Sequence, residues 1–199
     1  MLELVELLLW LIDICIDASY YATTRKGLGS TSKKITADLL SAFPPGGPDY
    51  PDNLLYTTAR KDHQPVLSKS SFAETARCLN DAMKERTLRV IIAASMADGL
   101  IHPDEDDLLH RLSERLDHDQ KIALASEISN PWKISDLAWG VDDHGDKVFL
   151  FTVALLALRA DGDICEEEKQ FIRELADALC LPYTEAKLII SASLSPSSV

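Results

Sequence analysis

Two nine-residue stretches, Ala97–Glu105 (ADGLIHPDE) and Ala160–Glu168 (ADGDICEEE), repeat one pattern 63 residues apart. They share alanine, aspartate, glycine, isoleucine and the final glutamate in register. Each stretch follows a long apolar run and precedes an amphipathic one. The apolar positions after the two turns also align, with Leu108, Leu109, Leu112 and Leu116 matching Phe171, Ile172, Leu175 and Leu179. The sequence therefore predicts a duplicated helix–turn–helix unit whose two copies bury their apolar faces against each other.

The hydrophobic spacing from residue 71 onward is helical throughout. Ser71 and Glu74 form a capping-box pattern, and apolar residues then recur at threes and fours up to Gly99, a helix-ending residue. No stretch competes with this pattern by strand-like alternation. We therefore predict an all-α fold, a helical bundle, with further helices over residues 119–128, 135–139, 147–160, 166–180 and 184–192.

The first 70 residues have a different texture. An apolar run, Leu2–Ile16, is followed by a small, polar and basic stretch, Ala22–Lys34, which is typical of a linker. A short helix is expected over Ile35–Ala42, and five prolines between residues 43 and 70 exclude a long regular element there. We predict an N-terminal helix with a Pro/Gly-rich linker or arm over residues 1–70, a helical domain over 71–194 and a tail over 195–199.

Leu2–Ile16 supports two interpretations. Four acids (Glu3, Glu6, Asp13 and Asp17) lie along one helical stripe and leave an apolar surface over most of the circumference. The favoured interpretation is a helix that packs on the rest of the protein or on a second copy. The alternative is membrane association, which the acids disfavour because a mid-helix aspartate costs roughly 3 kcal/mol on insertion scales. The run lacks the basic start and cleavage pattern of a signal peptide.

The net charge of −12 constrains the partners. Binding to the phosphates of nucleic acid needs surplus lysine and arginine, so a nucleic-acid partner is not expected. Residues 71–199 carry −11 of the charge, which favours metal cations or basic protein surfaces as partners of this region. The four cysteines (Cys15, Cys78, Cys165 and Cys180) have no zinc-like spacing and are interpreted as small buried thiols in a reducing cytoplasm.

The repeated turn, Asp-Gly-x-Ile-x-x-x-Glu, has the spacing of the second half of an EF-hand calcium loop. The first half is missing, because the first and third ligand positions would be Ala94 and Met96 in one copy and Ala157 and Arg159 in the other. A regular EF-hand is thereby excluded. Two interpretations remain: a helix stop followed by an N-terminal charge, or an oxygen-rich site for a hard cation such as Ca²⁺ or Mg²⁺. The candidate ligands are Asp98, Glu105, Asp161, Asp163 and Glu168.

The duplicated turn, the helix Lys169–Cys180 and the Leu181-Pro182 step before a last helix resemble the TerB-like superfamily. That superfamily includes tellurite-resistance TerB and the N-terminal domain of DjlA-type co-chaperones. The uncharacterised YebE-type bacterial family is closer still, since Pro131–Asp143 (PWKISDLAWGVDD) and the final helix pair look like its second half. The resemblance covers residues 71–193. It implies an all-α bundle with pseudo-twofold halves and divalent-cation binding by Asp98, Glu105, Asp161 and Glu168.

Common catalytic signatures are absent from the sequence, including a nucleophile elbow, a P-loop and a zinc-protease helix. We therefore expect no enzyme but an acidic helical binding or scaffold domain in a stress or envelope context, located in the cytoplasm. A protein partner or self-association is expected. The alternative is an oligomerising or membrane-proximal adaptor that docks through Leu2–Ile16 and has no metal role.

Overall fold

The computed structural model describes residues 30–45, 79–99, 122, 125–126, 128–130, 132–159 and 164–193. All regular structure in these ranges is helical, which confirms the all-α prediction. The helices with described bounds are α1 (Ser30–Ser41), α2 (Asp81–Ser95), α3 (Ile134–Ala138), α4 (His144–Leu158), α5 (Glu166–Ala178) and α6 (Tyr183–Ser193). Leu2–Ile16 and the Ser71–Glu74 capping box lie outside the described residues.

Helix α4 is the centre of the bundle. Its sequence from Val148 to Leu158 is apolar on every face apart from Thr152, and a helix of that kind must be covered on all sides. Helices α2, α5 and α6 all pack against it. Asp143 caps its N-terminus by accepting a hydrogen bond of 3.1 Å from the backbone N–H of Asp146. The apolar side chains of α4 therefore form the middle of the core.

Helix α1 joins the same core from the N-terminal side. It begins at Ser30, five residues before the predicted Ile35, and packs against α5 and α6. Leu39 and Phe43 are fully buried, and the side-chain Nε of Arg173 on α5 donates to the carbonyl of Ala42 at 2.5 Å. Residues 35–43 thus pack with the helical domain, while the boundary predicted near residue 70 stays a prediction.

The helix predicted to run from Ser71 up to Gly99 is wrong as a single element. Leu79 and Asn80 are not helical, and α2 begins only after Asn80, whose Oδ1 accepts from the N–H of Met83 at 2.9 Å and caps a new helix start. Helices α3 to α6 begin and end within three residues of their predicted limits. The described part of the helix predicted over 119–128 is helical at residues 122, 125–126 and 128. Within the ranges the structure describes, no helix is both long and apolar enough to cross a bilayer.

The end of α5 corrects the interpretation of the cysteines. The N–H of Leu181 donates to the carbonyl of Ala176 at 2.9 Å, and that of Cys180 donates to the carbonyl of Asp177 at 3.0 Å. These two bonds form a Schellman motif, which places Cys180 in the left-handed region at φ 52°. The prediction of buried thiols is wrong for Cys180, which is exposed, and Cys165 is only half-buried. Cys15 and Cys78 lie outside the described residues.

Candidate functional site

The first of the two repeated turns follows the C-terminus of α2. After Ser95 the chain turns through two backbone hydrogen bonds, from Ala97 to the carbonyl of Ala94 and from Gly99 to that of Met96. Gly99 has φ +73°, as predicted for the residue that ends this helix. Asp98 lies beside it and is half-buried. Glu105 of the same turn lies outside the described residues.

The second turn is described from Ile164 onward. Ile164 is buried in the core, which confirms its predicted role of holding the turn against the bundle. Cys165 is the N-cap of α5, and its Sγ accepts from the N–H of Glu168 at 3.4 Å. In return, Oε2 of Glu168 accepts from the N–H of Cys165 at 2.6 Å. The two residues therefore form a capping box that satisfies two backbone donors at the helix start.

Glu168 has a structural role in this arrangement. Its side chain is 6% exposed, and a buried carboxylate needs hydrogen bonds to remain charged. The capping box supplies one such bond, so the turn explains Glu168 without a metal. Asp161 and Asp163 lie outside the described residues, and the cation site that they would complete with Glu168 stays a prediction.

The start of α5 is strongly acidic. Glu166 accepts a salt bridge of 2.7 Å from Lys169, one turn further on, and Glu167 is exposed. A backbone N–H and the thiol of Cys165 lower the pKa of Glu167. Carboxylates at a helix N-terminus are stabilised by the free N–H groups there. Glu166 and Glu167 therefore contribute carboxylate oxygens and negative charge at the start of α5.

Cys165 does not add a soft ligand to this set. Burial, reinforced by the charge of Glu168 and by Glu167, raises the pKa of its thiol to about 11. Because only the thiolate binds metals well, the thiol is a poor ligand at neutral pH. The donors available at the second turn are therefore oxygens, which suit hard cations.

Arg159 introduces an opposing charge next to the same turn. It ends α4 and is only 5% exposed, and burial lowers its pKa to about 10, which still leaves it protonated at neutral pH. It precedes Asp161 by two residues. A positive charge at this position of the sequence disfavours a further cation at Asp161.

Two further polar contacts were not predicted from the sequence. Nε2 of His144 lies 2.8 Å from Oε1 of Glu185, joining the start of α4 to α6. The guanidinium of Arg89 lies 3.9 Å from the ring centroid of Trp132. Both pairs join residues more than 40 positions apart, so only the packing of the helices brings them together. Over the part of the chain that the structure describes, no three potential ligands among histidine, cysteine, aspartate and glutamate are grouped as a metal site.

Comparison with known proteins gives one match. A family model described as a protein of unknown function (DUF533) matches residues 50–191, more than two thirds of the chain. The matched range includes both repeated turns and helices α2 to α5. No curated protein and no solved structure matches the chain.

Proposed function

The chain belongs to the DUF533 family, and on that premise we propose a non-enzymatic binding or scaffold domain that binds a divalent cation at its duplicated turns. DUF533 is a TerB-like family, in agreement with the resemblance of the repeated turn. The finer relationship, to tellurite-resistance TerB and most closely to YebE-type proteins, is part of the proposal. So are the cytoplasmic location and the stress or envelope context.

The observation that carries the proposal is the second turn. Ile164 is buried in the core, and α5 begins two residues later with three consecutive acids. Asp161 and Asp163 precede Ile164 in the sequence. Carboxylates on both sides of an anchored isoleucine are a donor set suited to Ca²⁺ or Mg²⁺. The first turn would supply a smaller set, with Asp98 directly before Gly99 and Glu105 six residues after it.

The proposed mechanism is local ordering. A cation bridging Asp161 and Glu168 would join the end of α4 to the start of α5, two helices that already pack against each other. Glu168 would bind the cation through the carboxylate lone pairs that its capping hydrogen bond does not use. Asp163, which lies between Asp161 and Glu168 in the sequence, would add a third carboxylate. The positive charge of Arg159 would lower the affinity of the site for a cation. We therefore expect weak binding, so that the occupancy of the site would depend on the cation concentration.

The test is thermal unfolding and calorimetric titration of the full chain after EDTA treatment, with millimolar Ca²⁺, Mg²⁺ or Mn²⁺. For a weak site, a cation at about ten times its dissociation constant adds about 1.4 kcal/mol, which corresponds to a rise in melting temperature of roughly 3–6 °C for a chain of this size. Asp161→Asn should abolish both the rise and the heat of binding. It tests the site better than Glu168→Gln, which also changes the capping box.

Glu174→Gln is the matched control. Glu174 is an exposed acid on α5, accepts a side-chain hydrogen bond from Gln170, and lies outside the repeated pattern. This variant should keep the full response to cation. If no cation changes the melting temperature or gives a heat of binding, or if both variants respond equally, the proposed cation site is wrong and the turns are structural caps alone.

A further inference from the structure

A tight turn between α3 and α4 presents an exposed tryptophan. The N–H of Val141 donates to the carbonyl of Ala138 at 3.2 Å, and the residues between them have φ −61° and ψ 127° at Trp139 and φ +72° at Gly140. These are the angles of a type II β-turn with glycine at its third position. Trp139 occupies the first corner and is 80% exposed. Tryptophan has the largest side chain of all residues, so this exposure is a substantial cost that burial elsewhere would avoid.

An arginine of α2, Arg86, holds the turn in place through two hydrogen bonds to its backbone. Nη1 of Arg86 donates to the carbonyl of Leu137 at 2.7 Å and to that of Trp139 at 2.5 Å. Leu137 is itself buried in the core, so the backbone that carries Trp139 is held on both sides. A side chain presented on a fixed backbone loses little conformational entropy when a partner binds it. The exposure of Trp139 is thus a feature of an ordered turn.

Three exposed carboxylates surround Trp139 along the chain. Asp136 precedes it by three residues, and Asp142 and Asp143 follow it by three and four. Two basic residues lie in the same region: Arg86, whose guanidinium is engaged with the two carbonyls, and Lys133, at the opposite end of α3. The exposed charges nearest to Trp139 along the chain are the three carboxylates, while the exposed Lys133 lies six residues away. Residues 71–199 carry a net charge of −11, which also favours a cationic partner.

The neighbouring tryptophan already binds a cation in this way. The guanidinium of Arg89 lies over the ring of Trp132, and its Nη2 forms a salt bridge of 2.5 Å with Glu85. Tryptophan, guanidinium and carboxylate together form a cation–π site with its counter-ion. Trp139 has the same kind of ring, has exposed carboxylates three and four residues away along the chain, and is far more exposed than Trp132, which leaves its ring open to a cation from another molecule.

We propose that Asp136, Trp139, Asp142 and Asp143, here named the Trp139 surface, bind a basic segment of a protein partner, with an arginine or lysine side chain over the indole ring. The inference rests on the function proposed above only in that the domain acts by binding, and it requires no cation at the repeated turns. Tryptophan at the centre and polar groups around it is also the usual composition of an interface hot spot.

The test measures the binding of a fluorescein-labelled 12-residue peptide of alternating arginine and glycine to the full chain by anisotropy, in EDTA. Saturable binding is expected for the wild type, and Trp139→Ala should weaken it at least fivefold. Asp136→Asn/Asp142→Asn should weaken it too and reduce its dependence on salt. Trp132→Phe is the matched control. It should bind the peptide within twofold of wild type, because a phenyl ring at position 132 still packs against Arg89 and the Trp139 surface is unchanged.

Three outcomes would overturn the proposal: no binding at 1 mM protein, equal affinity of Trp139→Ala and wild type, or equally tight binding of a matched glutamate–glycine peptide. Equal affinity of Trp139→Ala would assign the binding to the general negative charge of the protein. Since the titration contains EDTA, a failure of the cation proposal leaves this result unchanged. A failure of the peptide-binding test likewise leaves the result of the cation titration unchanged, so the two proposals can be tested separately.

Discussion

The aromatic ring of Phe43 meets the ring of Tyr183 edge to face, with the two centroids 5.0 Å apart. A second edge-to-face contact joins Phe43 to Phe151, with centroids 6.3 Å apart. Phe43 follows α1, Phe151 lies in the central helix α4, and Tyr183 begins α6. One side chain from the N-terminal part of the chain therefore contacts two helices of the bundle.

The first prediction concerns this contact. Phe43→Ala should lower the free energy of unfolding by about 3–5 kcal/mol, because it leaves a cavity among buried rings and removes both edge-to-face pairs. Urea denaturation of the full chain measures the change. Ser41→Ala, an exposed change two residues earlier at the end of α1, should stay within about 0.5 kcal/mol of wild type. Equal stability of the two variants would mean that the Phe43 ring contributes nothing to the cooperative core.

The second prediction concerns the strained end of α5. Cys180 has φ 52° at the position of the Schellman motif where glycine is favoured. Cys180→Gly should stabilise the protein by about 0.5–1 kcal/mol, the relief of left-handed strain less the added freedom of glycine in the unfolded chain. Cys180→Ala is the control, since it removes the thiol but keeps the strain, and should change little. Equal midpoints of the two variants in urea would refute the strain argument.

Local features of the sequence predicted most of the helices. The spacing of apolar residues located α4 to α6, and the repeated pattern indicated the left-handed glycine at Gly99, the burial of Ile164 and the place of Glu168 in the first turn of α5. Each of these depends on residues within one or two turns of each other. Helix caps and hydrophobic periodicity are local, so a single sequence carries them.

The remaining features depend on contacts that the sequence does not place. The partners of Phe43 lie more than 100 residues away, and nothing near Phe43 indicates which helices it will meet. Cys180 was predicted to be buried because the apolar pattern runs through it, but α5 ends at Ala178, two residues earlier, and the turn that follows leaves Cys180 exposed. The pattern Ser-Asp-Leu-Ala-Trp-Gly gave no sign that its tryptophan would be exposed, since an apolar residue at a helix end is usually buried.

The third prediction concerns the Cys165 thiol and its pKa of about 11. The sulfur of Cys165 accepts a hydrogen bond from the N–H of Glu168, and burial disfavours the thiolate. At pH 8 a thiol with this pKa has about 100-fold less thiolate than a thiol with the ordinary pKa. Because the thiolate of a thiol with a higher pKa is also more nucleophilic, part of this loss is offset. Iodoacetamide should therefore react with Cys165 about tenfold more slowly than with an unshifted thiol. Peptide mass spectrometry measures the rate at Cys165 against that at the exposed Cys180.

The same shift fixes the direction of a pH effect on stability. The unfolded thiol loses its proton near pH 9 and the folded one near pH 11, so the folded state binds more protons between these values. The contribution of Cys165 to stability is thus present below pH 9 and is lost as the pH rises towards 11. Cys165→Ser keeps an N-cap without a group that titrates in this range. The melting temperature of wild type should therefore fall more steeply than that of Cys165→Ser between pH 8.5 and 10.5, and parallel pH profiles would show that the thiol is not shifted in the folded protein.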